Sequence, residues 1–165
     1  MKWMLDGTIS AILSHIARVL VHKYYLIISG IKLRVPIYCI LSHDLSKFGF
    51  SELIPYARQF FMDEKLPDQF GLAWLHHQNC NKHHWEYYII RSSKGSRTPK
   101  PLCMPRKFAR EMVADWMAAS KSYVGSWDMN HWLDKHWNRM VFHPDTRRYV
   151  SKLLQDLGYD MSKFN

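Results

Sequence analysis

The chain has 165 residues and a formal net charge of +9, and 47% of its residues are hydrophobic and 15% aromatic. This length predicts a single domain over residues 1–165, large enough to bury a core. The excess of lysine and arginine over aspartate and glutamate favours an anionic partner such as a phosphate ester or nucleic acid. The three cysteines form no CxxC pair, which argues against a thiolate zinc site and fits a reducing compartment.

The apolar N-terminal segment is not expected to span a membrane. His15, Arg18, His22 and Lys23 interrupt it, and its longest uncharged stretch, residues 24–31, falls far short of the roughly 20 residues that cross a bilayer. No secretory signal peptide is recognisable either. We therefore expect a cytoplasmic protein without a membrane partner.

Helix signals dominate the chain and predict an all-α bundle of about seven helices. A capping region at residues 6–8 opens a first helix that is predicted to stop at Gly30, and Pro36 suits the first turn of a second helix that runs to about Asp44. The apolar pattern then predicts helices over 51–61, 66–77, 82–91, 106–123, 128–141 and 145–157. Residues 92–105 contain three prolines and are predicted to form a loop, a candidate lid. No stretch shows the alternation of apolar and polar residues that is typical of a β-strand.

Histidine is the residue type that stands out, because the chain contains ten. Imidazole and carboxylate groups together suit first-row divalent metals such as Mn, Fe, Co, Ni or Zn. An aspartate can also bridge two metals with its two oxygens, so one or two ions per chain are expected. In chain order, the candidate ligands are His22, His43, Asp44, His76, His77, His83, His84 and Asp115.

Three choices among these histidines stay open. His15 shares a helical face with His22, so one of the two can serve as a ligand while the other packs. The doublets His76-His77 and His83-His84 each contain at least one residue that must face elsewhere, because neighbours on a helix diverge by about 100°.

The order His22, His43-Asp44, Asp115 resembles the HD superfamily of metal-dependent phosphohydrolases. That resemblance implies an all-α fold whose metal is held by a histidine, a His-Asp doublet and a later aspartate. The run HDLSKF also resembles the His-Asp-x-x-Lys of HD-GYP-type proteins, in which the lysine faces phosphate, and Lys47 matches that position. His77 and the His83-His84 doublet resemble the histidines that complete a second metal site there.

The chain is also similar to a family of small uncharacterised proteins of phage and bacterial genomes, the DUF5662 type. The shared runs are HDLSKF, EL-PYAR-F, AW-HH--N-HHWEY and EMVADW, which lie at residues 43–48, 52–60, 73–86 and 111–116. The resemblance covers roughly residues 15–125, the expected metal-site core, and leaves the C-terminal helices 128–157 outside it. It implies an HD-like fold and a metal site but no substrate, and a phage-encoded copy would act in the host cytoplasm.

A metal site flanked by a lysine suits hydrolysis of phosphate esters, because bound metal lowers the pKa of water and neutralises charge on phosphate oxygens. The predicted catalytic residues are Asp44, Lys47 and Arg58. Lys47 would place a point charge beside the phosphate oxygens, and the Arg58 guanidinium would bind them in a bidentate manner. The residues expected to orient the ligands from behind are Glu52, Tyr56 and Asn81. The predicted function is hydrolysis of a nucleotide or another anionic phosphate ester.

Two other interpretations remain open. Some HD-fold proteins hold a mixed-valent di-iron centre that activates oxygen, and the same ligands would suit it. A non-catalytic basic module could instead bind nucleic acid or a partner protein through the loop 94–107 and Arg147-Arg148. Three tryptophans, Trp74, Trp85 and Trp116, occupy helical core positions and are expected mainly to pack.

Overall fold

The computed structural model describes residues 2–90 and 100–164, with side chains from residue 7 onward. It confirms the all-α fold, because the described ranges contain seven α-helices and a single two-stranded antiparallel sheet. The helices are α1 (Lys2–Lys32), α2 (Ile37–Ser42), α3 (Phe50–Phe61), α4 (Pro67–Cys80), α5 (Arg106–Val124), α6 (Asn130–His136) and α7 (Pro144–Asp156). The strands are β1 (Ile89–Ile90) and β2 (Lys100–Pro101), with Ile89 opposite Pro101.

The long helix α1 packs against α3 and α5, and one of its faces lies in the interior of the bundle. Its buried stripe repeats every three or four residues and combines apolar residues with two histidines, as expected for one face of a helix. The members of this stripe include Ala11, His15, Val19, His22 and Leu26. By length and composition alone, Gly7–Lys32 would also suffice to cross a membrane, a test that core helices pass as well.

The predicted helix stop at Gly30 is wrong, since α1 continues to Lys32 and the backbone turns at Arg34, where φ is 54°. Gly30 instead permits a close approach between two helices. A Cβ at this position would lie 2.8 Å from Cδ1 of Ile40 in α2. The glycine therefore sets how closely α2, and the His-Asp doublet that follows it, sits against α1.

Two predicted helices are shorter or absent. The described part of the helix predicted over 82–91, residues 82–90, does not form an α-helix: a 3-10 turn over Trp85–Tyr88 leads into β1. The run Tyr87-Tyr88-Ile89-Ile90 is rich in aromatic and β-branched residues, which favour extended backbone. The helix predicted over 128–141 ends at His136 and is followed by a 3-10 turn over Trp137–Arg139. Residues 91–99, most of the predicted loop, lie outside the described residues.

The C-terminal helices complete an aromatic core. One of the two arginines expected to bind nucleic acid packs within it. Arg147 donates a 2.8 Å hydrogen bond to the Met140 carbonyl, and its guanidinium lies 5.0 Å from the centre of the Trp137 ring. Arg148 is paired with Asp145 on the surface. Arg147 therefore holds the C-terminal segment together instead of facing solvent.

Candidate metal centre

The His-Asp doublet lies where the chain leaves α2 and turns toward α3. His43 follows the last residue of α2 with extended backbone, and Asp44 adopts the left-handed region at φ 56° and ψ 20°. Few residue types other than glycine adopt this region, and Asp and Asn do so most readily. The helix predicted to run to Asp44 therefore ends at Ser42. This abrupt change of direction brings two successive side chains to one cluster, which a continuous helix would separate by about 100°.

One group of candidate ligands joins α1, the doublet and α5. His22 Nε2 lies 3.0 Å from Asp115 Oδ1, and His43 Nε2 lies 3.5 Å from the same oxygen. His43 Nε2 is also 3.5 Å from Asp44 Oδ2. The potential ligand atoms of His22, His43 and Asp115 all lie within 4.8 Å of one another, close enough to share one metal ion.

A second group adjoins the other oxygen of Asp44. Asp44 Oδ1 lies 3.3 Å from His77 Nε2 and 3.4 Å from His83 Nε2. His84 completes this group, whose potential ligand atoms again lie within 4.8 Å of one another. Asp44 Oδ1 thus faces His77 and His83, whereas Oδ2 faces His43 and Lys47, so the carboxylate lies between the two groups.

Two glutamates orient these imidazoles from behind. Glu111 Oε1 accepts a 3.0 Å hydrogen bond from His43 Nδ1 and lies 3.3 Å from His83 Nδ1. Glu52 Oε2 accepts a 2.8 Å hydrogen bond from His77 Nδ1. A proton on each Nδ1 would leave the Nε2 lone pair of a neutral ring directed at the cluster, as in many metal-binding histidines. Glu52 was predicted in this role, whereas sequence analysis missed Glu111.

Several buried polar atoms of the cluster lack a hydrogen-bond partner among the described residues. A buried polar atom left unpaired costs about 1–3 kcal/mol, and a single cation or pair of cations would satisfy all of these atoms together. The nitrogen and carboxylate donors fit a divalent first-row transition metal. The atoms concerned are His22 Nε2, His43 Nε2, Asp44 Oδ1, His83 Nε2 and His84 Nε2.

The acidic groups of the cluster stay ionised despite burial. Burial alone would raise the pKa of Asp44, but His43 and Lys47 hold it well below its ordinary value. Lys47 Nζ lies 2.6 Å from Asp44 Oδ2. Burial lowers the pKa of His43, yet Asp44, Asp115 and Glu111 outweigh it and raise this pKa to about 10. The cluster therefore attracts positive charge strongly, whether as protons or as a metal cation.

The structure distinguishes the histidines that the sequence left open. His77 is buried and faces Asp44, whereas the side chain of His76 is 43% exposed and hydrogen-bonds Glu52 Oε1 at 2.7 Å. His83 and His84 both approach the second group because the segment between α4 and the 3-10 turn is not a continuous helix. His15 is buried beside Tyr56, with ring centres 5.6 Å apart, outside both groups.

The remaining predicted residues divide between the cluster and the surface. Tyr56 lies beside His77, with ring centres 6.0 Å apart. Asn81 Nδ2 donates to Ser46 Oγ at 2.8 Å and to the His77 carbonyl at 2.9 Å, so it anchors the end of α4. Arg58 is the exception: its described ionic partner is the exposed Glu64, at 3.8 Å. None of the described contacts joins Arg58 to the cluster.

A cleft of about 490 Å³ opens onto the cluster. His83, His84 and Asp115 form part of its lining, and Asp115, with 18% of its side chain exposed, is more accessible than Asp44. Aromatic side chains from α4, α5, α6 and the 3-10 turn that starts at Trp85 form much of the remainder, including Trp74, Trp85, Trp116, Tyr123 and Trp132. The tryptophans expected mainly to pack therefore also border the route to the candidate ligands.

Comparison with known proteins gives one match. The model of a family described as a family of unknown function (DUF5662) matches residues 6–156. No curated protein and no solved structure matches the chain.

Proposed function

The chain belongs to the DUF5662 family of unknown function, and we propose that it is a metal-dependent phosphohydrolase acting on a nucleotide or another phosphate ester. One or two divalent transition-metal ions, of Mn, Fe, Co, Ni or Zn, would occupy the cluster. The observation that carries this proposal is the placement of Asp44 between the two groups, with Oδ1 near His77 and His83 and Oδ2 near His43. The proposed ligands are His22, His43, Asp44 and Asp115 in one group and Asp44, His77, His83 and His84 in the other.

The order of these ligands along the chain supports the HD-type assignment. The His-Asp doublet, an earlier histidine on α1 and a later aspartate on α5 occur in the order described for the HD superfamily. Their approach to one centre, with His22 Nε2 3.0 Å from Asp115 Oδ1 across two helices, is the arrangement that such a function needs. An all-α bundle is equally compatible with that superfamily.

The residues of the chain would divide the chemistry as follows. When bound, the metal would supply a Lewis acid that lowers the pKa of water and neutralises phosphate charge. Lys47 carries three N–H donors and directs one to Asp44 Oδ2, which leaves two that can contact phosphate oxygens. Glu111 and Glu52 accept hydrogen bonds from Nδ1 atoms of the imidazoles and so fix their orientation. Water would add its oxygen to phosphorus while the ester P–O bond breaks and the leaving oxygen takes up a proton.

The same donor set also supports a second candidate, a di-iron oxygenase. Five imidazoles and two carboxylates suit iron as well as manganese or zinc. The basic surface and Lys47 favour phosphate, and for that reason we place the hydrolase first. The nucleic-acid module is supported less, because Arg147 packs against Trp137.

A combined metal and activity measurement tests the proposal. The protein would be purified without added metal, analysed for elements, and assayed for phosphate release from a panel of nucleotides and sugar phosphates with Mn²⁺ or Co²⁺. We expect at least one first-row metal per chain and release that Asp44→Asn abolishes. Asp156→Asn, at an exposed carboxylate that pairs with Lys152 outside the cluster, serves as the matched control.

The alternatives give different outcomes in the same experiment. Bound iron with oxygen consumption and no phosphate release would favour the oxygenase. A fully helical protein without metal would overturn any metal-dependent function. Salt-sensitive nucleic-acid binding that Asp44→Asn leaves unchanged would favour the non-catalytic module.

A further inference from the structure

The cleft beside the cluster has walls that differ from those of a site for polyphosphates. The rings of Trp116 and Trp132 lie 5.0 Å apart, and the Tyr123 ring is stacked 6.0 Å from that of His22. Arg139 is the one lysine or arginine among the described residues that line it. A triphosphate chain would place several negative charges in this space with few cations to meet them.

We propose that this cleft holds the leaving group of the substrate and that this group contains a flat aromatic ring, such as the base of a nucleoside monophosphate. The inference rests on the proposed phosphohydrolase function and narrows its substrate class. Asp115 and His83 belong both to the cluster and to the lining of the cleft. A phosphate held at the cluster would therefore leave the rest of its ester within reach of the tryptophans.

Aromatic walls favour such a ring for a physical reason. Stacking of a nucleobase on an aromatic side chain contributes about 1–3 kcal/mol, and it needs no charge on the ligand. Water would attack the phosphorus, the P–O bond to the nucleoside would break, and the nucleoside alcohol would leave with a proton. The products are a nucleoside and inorganic phosphate, so no further reactant is required.

A matched pair of substrates tests the inference. AMP and ribose 5-phosphate carry the same reacting phosphate, but only AMP carries a base. We expect kcat/KM for AMP to exceed that for ribose 5-phosphate by at least tenfold, and ATP to be a poorer substrate than AMP. Trp132→Leu should lower the ratio of kcat/KM for AMP to kcat/KM for ribose 5-phosphate about tenfold. Trp127→Leu, which removes an indole that packs on Tyr25, is the control.

Binding of adenosine separates a failure of this inference from a failure of the proposed function. Equilibrium dialysis with adenosine needs no catalysis, and we expect wild type to bind it and Ala119→Phe, which fills the cleft, to lose at least tenfold in affinity. Equal efficiency on AMP and ribose 5-phosphate, or undetectable adenosine binding, would overturn the aromatic subsite. Adenosine binding without phosphate release from any ester would overturn the hydrolase and retain the subsite.

A second and independent observation concerns the outward side of α1. Positions 10, 13, 17, 20, 24, 27 and 31 alternate in steps of three and four, and all seven are exposed. Five of them are large and apolar, namely Leu13, Leu20, Tyr24, Ile27 and Ile31. Such a heptad spacing is the pattern of a helix that packs along another helix.

We infer that this outward stripe packs against α1 of a second copy of the chain. With the flanking Ile9, Val21 and Ile28, eight side chains remain about half exposed. Two copies would bury on the order of 1,500 Å² through them, within the roughly 1,200–2,000 Å² of a stable interface.

Charge favours a second copy over a membrane surface. Residues 7–31 contain no acidic residue and only two cations, Arg18 and Lys23. Arg18 lies 4.3 Å from the centre of the Phe61 ring, and Lys23 donates to the carbonyls of Leu41 and His43. The seven stripe positions themselves carry no charged side chain, so they offer no cation to anionic lipid, and two basic chains can meet along them without charge repulsion.

Sedimentation analysis tests this interface. We expect a wild-type dimer and a monomer for the double variant Leu20→Glu, Ile27→Glu, with the dissociation constant raised at least a hundredfold. Leu72→Glu with Leu75→Glu, at exposed sites on α4, should remain dimeric. A wild-type monomer at all concentrations up to about 100 µM would overturn the inference, as would a monomer that floats with phosphatidylcholine or phosphatidylserine vesicles.

Discussion

Glu111 Oε1 lies 3.0 Å from His43 Nδ1 and so couples α5 to the His-Asp doublet. The same oxygen is 3.3 Å from Nδ1 of His83. One carboxylate thus orients an imidazole from each of the two candidate metal groups. Residues that hold metal ligands from behind contribute about 10- to 100-fold to metal affinity.

We therefore expect Glu111→Gln to weaken metal binding by about 10-fold and Glu111→Ala by about 100-fold. The amide oxygen of glutamine can still accept the Nδ1 protons but lacks the charge, whereas alanine frees both rings. Competition with a fluorescent chelator measures the affinity. Glu64→Gln, at an exposed position, should leave it unchanged. Unchanged affinity in both Glu111 variants would mean that this carboxylate only supports packing.

The left-handed backbone conformation of Asp44 limits which substitutions can test its role. Its φ of 56° is costly for alanine but accessible to asparagine. We expect Asp44→Asn to fold normally and to lose metal from both groups, because asparagine has no negative charge and has an NH2 group, which cannot ligate a cation, in place of one oxygen. Asp115→Asn should lose metal from the first group alone. Elemental analysis of the two variants checks this, and equal losses in both would contradict a bridging role for Asp44.

The sequence predicted helical segments and ligand order better than it predicted which side chains meet. The main helices follow from apolar spacing along a continuous segment. The short β1–β2 pairing could not be predicted in this way, because it joins residues on either side of the segment 91–99. The ends of α2 and α6 likewise depend on packing and not on local composition.

Helical periodicity also indicates the positions of two further side chains, Glu111 and Arg58. Glu111 lies four residues before Asp115 on α5, which places both on one face. Arg58 follows Tyr56 by two residues on α3, which turns it about 200° away from the face that Tyr56 shares with Glu52. These relations indicate Glu111 as a member of the site and place Arg58, which is half-buried, on another side of α3. Which of His76 and His77 faces inward needed the position of Asp44, which is set through space.

Lys47 and Arg58 give a matched test of the phosphate contact. Lys47 Nζ is 2.6 Å from Asp44 Oδ2, whereas Arg58 pairs with the exposed Glu64. If the phosphohydrolase proposal holds, Lys47→Gln should lower kcat/KM by about 100-fold, and Arg58→Gln should change it less than threefold. Steady-state phosphate release measures both. A larger effect of Arg58→Gln would contradict the surface position described for this side chain.

Removal of metal should destabilise the fold, because the ligands come from α1, α5 and the segments around α2 and α4. At a metal concentration about 1,000 times the dissociation constant, binding contributes about 4 kcal/mol. At roughly 2–4 °C per kcal/mol for a chain of this size, a chelator should lower Tm by on the order of 10 °C. Differential scanning calorimetry measures the shift. Asp44→Asn should melt at one temperature with and without chelator.

Gly30 offers a test of the helix contact that positions the doublet. A Cβ there would lie 2.8 Å from Cδ1 and 3.0 Å from Cγ1 of the buried Ile40. Alanine gains about 1 kcal/mol in helix propensity, but overpacking costs about 1–3 kcal/mol. We therefore expect Gly30→Ala to lower the free energy of unfolding by about 1 kcal/mol. At Gly71, where a Cβ would meet nothing within 4 Å, alanine should raise it by about 0.5–1 kcal/mol. Urea unfolding of both variants measures the difference, and equal stabilisation by the two alanines would show that Ile40 moves aside without cost.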